Sequence, residues 1–291
     1  DNQVGRCRPD MGNPADRCCR NRKLLGDTGM GVVTAVAICW LLAALFMGGV
    51  FFVGKRLKRF DVIDMAWGIV FIVIAAGSLL YYVVAGQSTI VWEKLVVTTV
   101  VTIWGARLAT HIGHRLQRTT TEDPRYVELR KNWKGNLERN VFVRMYMVQA
   151  TLATIIALPI IFINTADWIV VPAFVLAGLI VWMVGFVFET VGDLQLEAFV
   201  AHNPGKLMTK GLWKYSRHPN YFGEMTQWVG IGVMALSVDY GWVSLIGPFV
   251  ITYLLLFVSG IPPAERRSSK RPGWDDYKRR TSAVVPLPPV R

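Results

Sequence analysis

The sequence predicts an all-α polytopic membrane protein with about seven transmembrane helices, and three observations support this fold class. Hydrophobic residues make up 53% of the 291 residues and charged residues only 18%, with a mean hydropathy of +0.36. This composition excludes a disordered chain and disfavours a soluble domain. The apolar residues also form runs of roughly 20, the length that a helix needs to cross about 30 Å of hydrocarbon. The cationic residues lie mostly between these runs, as they do in membrane proteins.

The apolar runs define seven candidate spans, of which the first two and the fifth are the clearest. The third contains the charged residues Glu93, Lys94 and Arg107, and the last two are short and separated only by residues 239–241. Six spans are therefore an alternative count. So many long runs would leave too little polar surface for a soluble helical core. The predicted spans lie near 31–54, 62–85, 91–112, 141–163, 168–190, 224–238 and 242–259.

The basic residues set the predicted orientation, because cytoplasmic loops collect Lys and Arg during insertion. Most basic residues lie in three connections between spans, 54–61, 113–140 and 191–223, and in the C-terminal tail after residue 259. The short connections 86–90, 164–167 and 239–241 contain none. The long connections and the C-terminus are therefore predicted to face the cytoplasm, where nucleotide cofactors are found. This placement also explains the net charge of +12, so nucleic acid is not expected as a partner.

Residues 1–29 differ from the rest of the chain in composition. They hold six basic residues on the face predicted to be non-cytoplasmic and show no apolar periodicity. We expect a disordered tail, or a leader preceding a start at Met30, rather than a secretory signal. Residues 30–291 are predicted to form one membrane domain.

Common motifs for metal, nucleotide and acyl chemistry are absent from the sequence. The four cysteines have no C-x-x-C spacing, and the four histidines include no H-E-x-x-H. No metal site is predicted, although His111 and His114 share a helix face. A Walker loop, a G-x-G-x-x-G following a strand and a G-x-S-x-G are also missing.

Polar residues concentrate between residues 186 and 227, where the fifth span ends and the sixth begins. A spacing of four places Glu189, Asp193 and Glu197 on one helix face. Three carboxylates are therefore expected to face one neighbour at the cytoplasmic end of the fifth span.

The run that follows predicts an anion site. Pro219 can begin a helix whose free backbone N–H groups would face a phosphate, with Arg217 and His218 as adjoining donors. Asn220 and Glu224 then repeat at i, i+4 into the sixth span, where a carboxylate is unfavourable unless something binds it. An alternative is that Arg217, Asp193 and Glu224 merely neutralise one another at the membrane surface.

Several segments resemble the steroid 5-alpha-reductase-like membrane proteins, in particular their bacterial, DUF1295-like branch. The resemblance covers roughly residues 60–289 and is strongest over 185–291. The R-H-P-x-Y element within it also occurs in isoprenylcysteine carboxyl methyltransferases, which use S-adenosylmethionine. The segments that carry the resemblance are Lys210-Gly211-Leu212-Trp213-Lys214-Tyr215-Ser216-Arg217-His218-Pro219-Asn220-Tyr221-Phe222-Gly223-Glu224, Asp61-x-x-Asp64-x-x-Trp67-Gly68, Glu122-Asp123-Pro124-Arg125-Tyr126, Val258-Ser259-Gly260-Ile261-Pro262-Pro263-x-Glu265 and Tyr277-x-Arg279-Arg280-Thr281-Ser282-x-x-x-Pro286.

The resemblance implies a membrane oxidoreductase of the bacterial inner membrane that binds NADPH between the cytoplasmic halves of its later helices. A lipophilic substrate would enter from the bilayer, and membrane lipids and a monomeric state are expected. The family's amide and carboxylate fall on Asn220 and Glu224, and its cofactor-facing aspartate falls on Asp193. The further residues predicted to bind the cofactor are Arg107, Lys206, Arg217, His218, Tyr221 and, in a C-terminal arm that would close over the cofactor, Arg266.

The chain departs from reductases of animal type at three positions, which leaves the substrate open between a steroid and another lipophilic molecule. Glu189 stands where those reductases have an asparagine, and Arg266 and its neighbours stand where they have histidines. Trp104 is the best match to their substrate-facing tyrosine on the third helix.

A reductase of this kind adds hydride from NADPH to a conjugated C=C bond, and the oxygen that becomes negative requires a positioned donor. Asp64 in the second span could be that donor, or could be a packing or capping carboxylate, and Arg107 could pair with it. Arg125 and Tyr126 could reach the cofactor phosphates, or could lie in an ordinary solvated loop.

Two other function classes are weighed against the reductase. An S-adenosylmethionine-dependent methyltransferase of the isoprenylcysteine type is the main alternative, but such enzymes need few helices before the R-H-P-x-Y element, and five predicted spans precede it here. A transporter or scaffold is less favoured, because the sequence shows no inverted repeat.

Overall fold

The computed structural model describes residues 31–85, 91–119 and 121–290, together with the helical backbone of residues 14–30. Within these residues the fold is all-helical, and the one pairing of extended backbone is an isolated bridge between Ser216 and Ser282. The all-α prediction is therefore confirmed. The helices are α1 Pro14–Leu57, α2 Val62–Val84, α3 Trp92–Gln117, α4 Pro124–Arg130, α5 Leu137–Val141, α6 Val148–Ile156, α7 Leu158–Thr165, α8 Ala173–His202, α9 Pro219–Ala235, α10 Ile246–Tyr253, α11 Ile261–Ser268 and α12 Trp274–Arg280.

Five helical segments of the described chain are long and apolar enough to cross a membrane. A sixth is formed by Leu137–Ile156 and Leu158–Thr165 if these two pieces, which meet at a bend of 52°, count as one span. The bend falls beside Pro159 at the start of α7, where proline cannot donate a backbone hydrogen bond. The five spans are Gly31–Leu57, Val62–Val84, Trp92–Gln117, Ala173–His202 and Gly241–Ser268.

The predicted count of about seven spans is not confirmed, and the difference lies in α9. This helix has 17 residues, at the lower limit for crossing the hydrocarbon, and most of its residues are buried against α7, α8 and α10. The predicted break after it is present. Tyr240 adopts φ 56°, and a Cβ on Gly241 would overlap the carbonyl of Ala235.

The structure describes only part of the predicted tail 1–29. Residues 1–13 are not described, and of the next residues only the backbone of α1 is given. The disordered tail or leader stays a prediction.

Two glycine contacts bring helices close together. A Cβ on Gly68 of α2 would overlap the carbonyl of Gly105 on α3, and a Cβ on Gly178 of α8 would overlap that of Gly230 on α9. Three buried aromatic rings pack at steep angles to one another, with Trp104 centred 5.3 Å from Trp228 in an edge-to-face arrangement and both next to Phe71. The centre of the bundle is thus filled by aromatic side chains.

The charge in the third span has a partner at the other end of the bundle. Lys94 is 1% exposed, and its Nζ donates to the carbonyls of Asn164 at 3.0 Å and Ala166 at 2.6 Å. These carbonyls lie at the end of α7, where a cation offsets the helix dipole. Lys94 therefore caps the C-terminal end of α7 and is separate from the polar residues of α8 and α9.

Candidate functional site

A buried polar cluster joins α3 to α8. Arg107 Nη1 of α3 lies 2.9 Å from Asp193 Oδ2, and its other Nη contacts Glu189. The indole Nε1 of Trp104, one turn earlier on α3, donates to Glu189 at 3.1 Å. Two of the three carboxylates predicted to share a face of α8 therefore meet one cation, and the third, Glu197, pairs with Arg118 at 2.7 Å near the surface.

Helix α9 adds amides to the same cluster. Asn220 Nδ2 donates to Asp193 Oδ1 at 3.0 Å, and the Gln227 amide donates to Glu189. The Oδ1 of Asn220 is buried and has no hydrogen-bond partner among the described residues. Glu224 is 9% exposed and likewise forms no hydrogen bond or ion pair in the described part of the chain.

The charges of this cluster do not balance. Glu189, Asp193 and Glu224 supply three carboxyl groups, whereas Arg107 is the single cation that acts on all three, and it pairs directly with only Glu189 and Asp193. Asn220 and Glu224, one helical turn apart, therefore offer two acceptors that the described protein leaves unused. A ligand that donates two neighbouring N–H groups would match them.

Glycines on both helices create this proximity. A Cβ on Gly223 would overlap the backbone of Glu189, and a Cβ on Gly185 would lie 2.6 Å from Gln227 N. A Cβ on Gly192 would lie 3.1 Å from Asn220 N. Only glycine lets the backbones of α8 and α9 approach closely enough for these polar groups to meet.

A second cluster lies at the start of α2, where two motifs of the sequence come together. Asp64 Oδ2 is 3.0 Å from Arg125 and 3.6 Å from Arg115, and its Oδ1 accepts from the hydroxyl of Tyr126. Asp61 forms two bonds of 2.8 Å with Arg59 and accepts from the backbone of Asp123. The alternative pairing of Asp64 with Arg107 is not observed, because Arg107 faces α8 instead.

The loop carboxylates of this second cluster are held in their charged form. Burial raises the pKa of Asp123, but the hydrogen bonds from Arg125 and the charges of Arg125 and Arg267 outweigh it, and the pKa falls below its ordinary value. Burial also acts on Asp61, where the hydrogen bonds from Arg59 and from the backbone of Asp123 bring the pKa below the usual range. Burial, followed by the charge of Asp64, raises the pKa of Tyr126 well above that of free tyrosine.

Arg217 and His218 hold the C-terminal arm, which comprises residues 261–290. Arg217 Nε donates to Glu265 at 2.9 Å, and its Nη1 donates to the carbonyls of Lys278 at 3.0 Å and Thr281 at 2.6 Å. The His218 ring stacks on Tyr221 with centroids 5.5 Å apart. Burial lowers the pKa of His218 to about 4. The guanidinium of Arg217 is thus engaged by the arm, and its predicted contact with a phosphate stays a prediction.

Two predicted cofactor residues are not joined to either cluster by a contact in the described residues. Lys206 is exposed after α8, and its carbonyl accepts from Arg271 at 3.3 Å. Arg266 is exposed on α11. Their predicted roles stay untested.

Gln227 and Glu265 are not among the site residues predicted from the sequence. Gln227 lies seven residues after Asn220, so the helical spacing that linked Asn220 to Glu224 would also have found it. Glu265 was noted only within a motif, and its ion pair with Arg217 has no local signal because the two residues are 48 apart.

A family model described as "Protein of unknown function (DUF1295)" matches residues 50–281. The nickel-cobalt-cadmium resistance protein NccN of Alcaligenes xylosoxydans xylosoxydans is 30% identical over 112 residues, which are 38% of this chain and 50% of that protein. The 3-oxo-5-alpha-steroid 4-dehydrogenase 1 of Bos taurus is 30% identical over 130 residues, 42% of this chain and 44% of the relative. The enzyme of the same name from Mus musculus is 34% identical over 77 residues, 25% and 29% of the two chains.

The chain thus spans half or less of the length of these curated relatives. No solved structure matches it. The family match and the relatives confirm the predicted resemblance to steroid 5-alpha-reductase-like proteins.

Proposed function

The chain belongs to the DUF1295 family, and we propose that it is a membrane-embedded NADPH-dependent reductase of a conjugated C=C bond in a lipophilic substrate. The substrate, steroid-like or of another kind, would enter from the bilayer. One observation carries the proposal: Asn220 Oδ1 and Glu224 are neighbouring acceptors without a partner among the described residues. A carboxamide, which the nicotinamide ring carries, offers the two N–H groups that fit them.

The residues on α3 and α8 act by fixing this pair. Asp193 accepts from the Nδ2 of Asn220 at 3.0 Å, which turns the Oδ1 of that amide away and leaves it as an acceptor. Arg107 holds Asp193 in turn.

Hydride would be supplied by NADPH when it is bound. The chain has to orient the ring, exclude water and provide a donor for the charge that develops on the substrate oxygen. Trp104 and Asp64 were the predicted groups, but the indole N–H of Trp104 is used by Glu189 and Asp64 accepts from Tyr126. Trp104 is therefore a positioning residue, and Glu224 is the catalytic residue that we favour, as the acceptor that holds the nicotinamide carboxamide.

The test is calorimetric binding to purified full-length protein. The wild type should bind NADPH with micromolar or tighter affinity, and more tightly than NADH, because the cytoplasmic loops carry excess cations for a 2′-phosphate. Glu224→Gln should leave expression and unfolding temperature near wild type and weaken NADPH binding at least tenfold, about 1.4 kcal/mol.

The matched control is Glu197→Gln. It removes an exposed carboxylate from the face of α8 that also carries Glu189 and Asp193, and it should leave NADPH affinity unchanged. If Glu224→Gln lowers the unfolding temperature without cofactor and leaves NADPH affinity unchanged, Glu224 is a structural residue. If calorimetry shows binding of S-adenosylmethionine and no binding of NADPH, the methyltransferase becomes the proposed function in place of the reductase.

A further inference from the structure

The end of α1 carries a group of basic side chains that the candidate site does not use. Lys55 and Arg56 occupy the last turn of the helix, Lys58 follows it directly, and all three residues are exposed. Lys55 Nζ lies 2.6 Å from a carboxylate oxygen of Glu138 on α5. The side chains of Arg56 and Lys58 have no hydrogen bond or ion pair with any described residue. The group therefore carries more positive charge than Glu138 neutralises.

Lys58 has a backbone conformation that glycine usually occupies. Helix α1 ends in a Schellman motif, in which Arg59 N donates to the carbonyl of Gly54 at 3.0 Å and Lys58 N donates to that of Lys55 at 3.3 Å. Lys58 has the left-handed φ of 55° that this motif requires. A Cβ is unfavourable in this conformation, which is why glycine is the usual residue. A lysine at a position where glycine would be more stable indicates a role for its side chain.

Exposed apolar side chains lie next to these cations on α1. Phe52 and Val53 are both exposed, and they precede Lys55 and Arg56 by about one helical turn, so they share a face with them. The four side chains line an open groove of about 520 Å³. All four residues belong to the candidate span Gly31–Leu57. The apolar part of the groove therefore faces hydrocarbon, and its basic part lies at the level of the lipid headgroups.

Helix α5 packs beside the same end of α1. The ring of Phe142, which follows α5, is centred 5.2 Å from that of Phe51 on α1, and Glu138 of α5 contacts Lys55. Arg139 is the next residue, and its exposed side chain is likewise unpaired within the described part of the chain. The two helices thus add a further cation to the group.

We propose that the end of α1 and the start of α5 form a binding site for one anionic phospholipid. An acyl chain lies along Phe52 and Val53, and the headgroup phosphate accepts hydrogen bonds from Arg56 and Lys58. A lipid fits better than a soluble phosphate, because the cations directly follow exposed apolar side chains at the end of a membrane span. None of these residues belongs to the candidate site, so the proposal does not depend on reductase activity.

Native mass spectrometry of the full-length protein in detergent micelles measures the dissociation constant of the first phosphatidylglycerol bound, with phosphatidylcholine as the comparison lipid. The wild type should prefer phosphatidylglycerol. The double variant Arg56→Gln/Lys58→Gln should weaken phosphatidylglycerol binding at least fivefold, because two cations near the headgroup are lost. The matched control is Lys210→Gln/Lys270→Gln, which removes the same charge from exposed positions elsewhere and should leave binding unchanged.

Two further variants separate a lipid site from a structural role of these residues. Glu138→Gln removes the carboxylate beside the cations and should strengthen phosphatidylglycerol binding at least twofold. Lys58→Gly should weaken that binding while raising the unfolding temperature without lipid, because glycine suits the left-handed conformation.

Three results would overturn the lipid site. The first is a wild type that binds both lipids equally, and the second is equal weakening by the two double variants, which would indicate diffuse attraction by the net charge. The third is phosphatidylglycerol binding that does not strengthen in Glu138→Gln or does not weaken in Lys58→Gly.

Discussion

Arg107 on α3 and Asp193 on α8 form an ion pair of 2.9 Å inside the helix bundle, and this pair links the helix that carries Trp104 to the helices that carry the acids and amides. Its arginine is 16% exposed and its aspartate 11%. The pair therefore lies where an unpaired charge is unfavourable.

We expect Arg107→Met to destabilise the protein by about 3 kcal/mol, because Glu189 and Asp193 would lose their cation while staying largely buried. The free energy of unfolding in detergent micelles measures the effect. Arg118→Met is the control, since Arg118 pairs with Glu197 at 2.7 Å but is 68% exposed, and its loss should cost less than about 1 kcal/mol. If both variants lose the same free energy of unfolding, burial of the Arg107 ion pair does not determine its contribution to stability.

Gly223→Ala should separate α8 from α9, because the added Cβ overlaps the backbone of Glu189. Both the unfolding temperature and NADPH affinity should fall, since Asn220 and Glu224 move with the helix. Gly49→Ala on α1, where a Cβ meets nothing within 4 Å, should leave the affinity as it is and stabilise slightly, as alanine favours helix. An unchanged affinity in Gly223→Ala would mean that close packing of α8 and α9 does not set the site.

Stability should decrease as the pH falls from about 6.5 to about 4, partly through His218. Burial lowers the pKa of His218 to about 4, whereas the unfolded chain binds a proton near pH 6.5. The unfolded state therefore takes up more protons in this window, and the folded state loses at most about 1.4 kcal/mol per pH unit from this group.

His218→Phe keeps the stacking on Tyr221 and removes the titration. Its free energy of unfolding should fall less steeply than that of the wild type between about pH 6.5 and about pH 4. Glu265, 3.5 Å from His218 Nε2, and Arg217 are present in both proteins and so cancel in the comparison. Parallel pH profiles would show that His218 does not contribute.

Cysteine labelling of intact cells should establish the orientation. In a background with Cys7, Cys18, Cys19 and Cys39 replaced by serine, an impermeant reagent should modify Asp167→Cys and miss Lys134→Cys and Ser269→Cys. All three positions are exposed, so access alone does not separate them. The prediction that the long connections face the cytoplasm is based on their positive charge. The reverse labelling would place the site away from cytoplasmic NADPH.

Local sequence signals were sufficient for the helices and for parts of the site. Apolar run length is a property of one segment, so the membrane helices were predictable within a few residues at most ends. Spacing of four placed Glu189 with Asp193 and Asn220 with Glu224 on common faces. The predictions of NADPH as the cofactor and of a lipophilic substrate could not be made from such local signals. They are based on the resemblance to a known family.

The choice of partners was decided by the tertiary structure. Spacing puts Arg107 on a face of α3 but does not say whether that face meets Asp64 or Asp193, because this depends on how neighbouring helices rotate about their axes. Arg217, predicted to face a phosphate, meets Glu265 of the C-terminal arm instead.

Long-range packing also decided the span count. Helix α9 has an apolar sequence like a span, but its 17 residues lie against α8 at a distance that glycines allow. The sequence by itself determined which residues share a helix face, since that follows from 3.6 residues per turn. Which faces meet was decided by side-chain volume and backbone approach in the folded bundle.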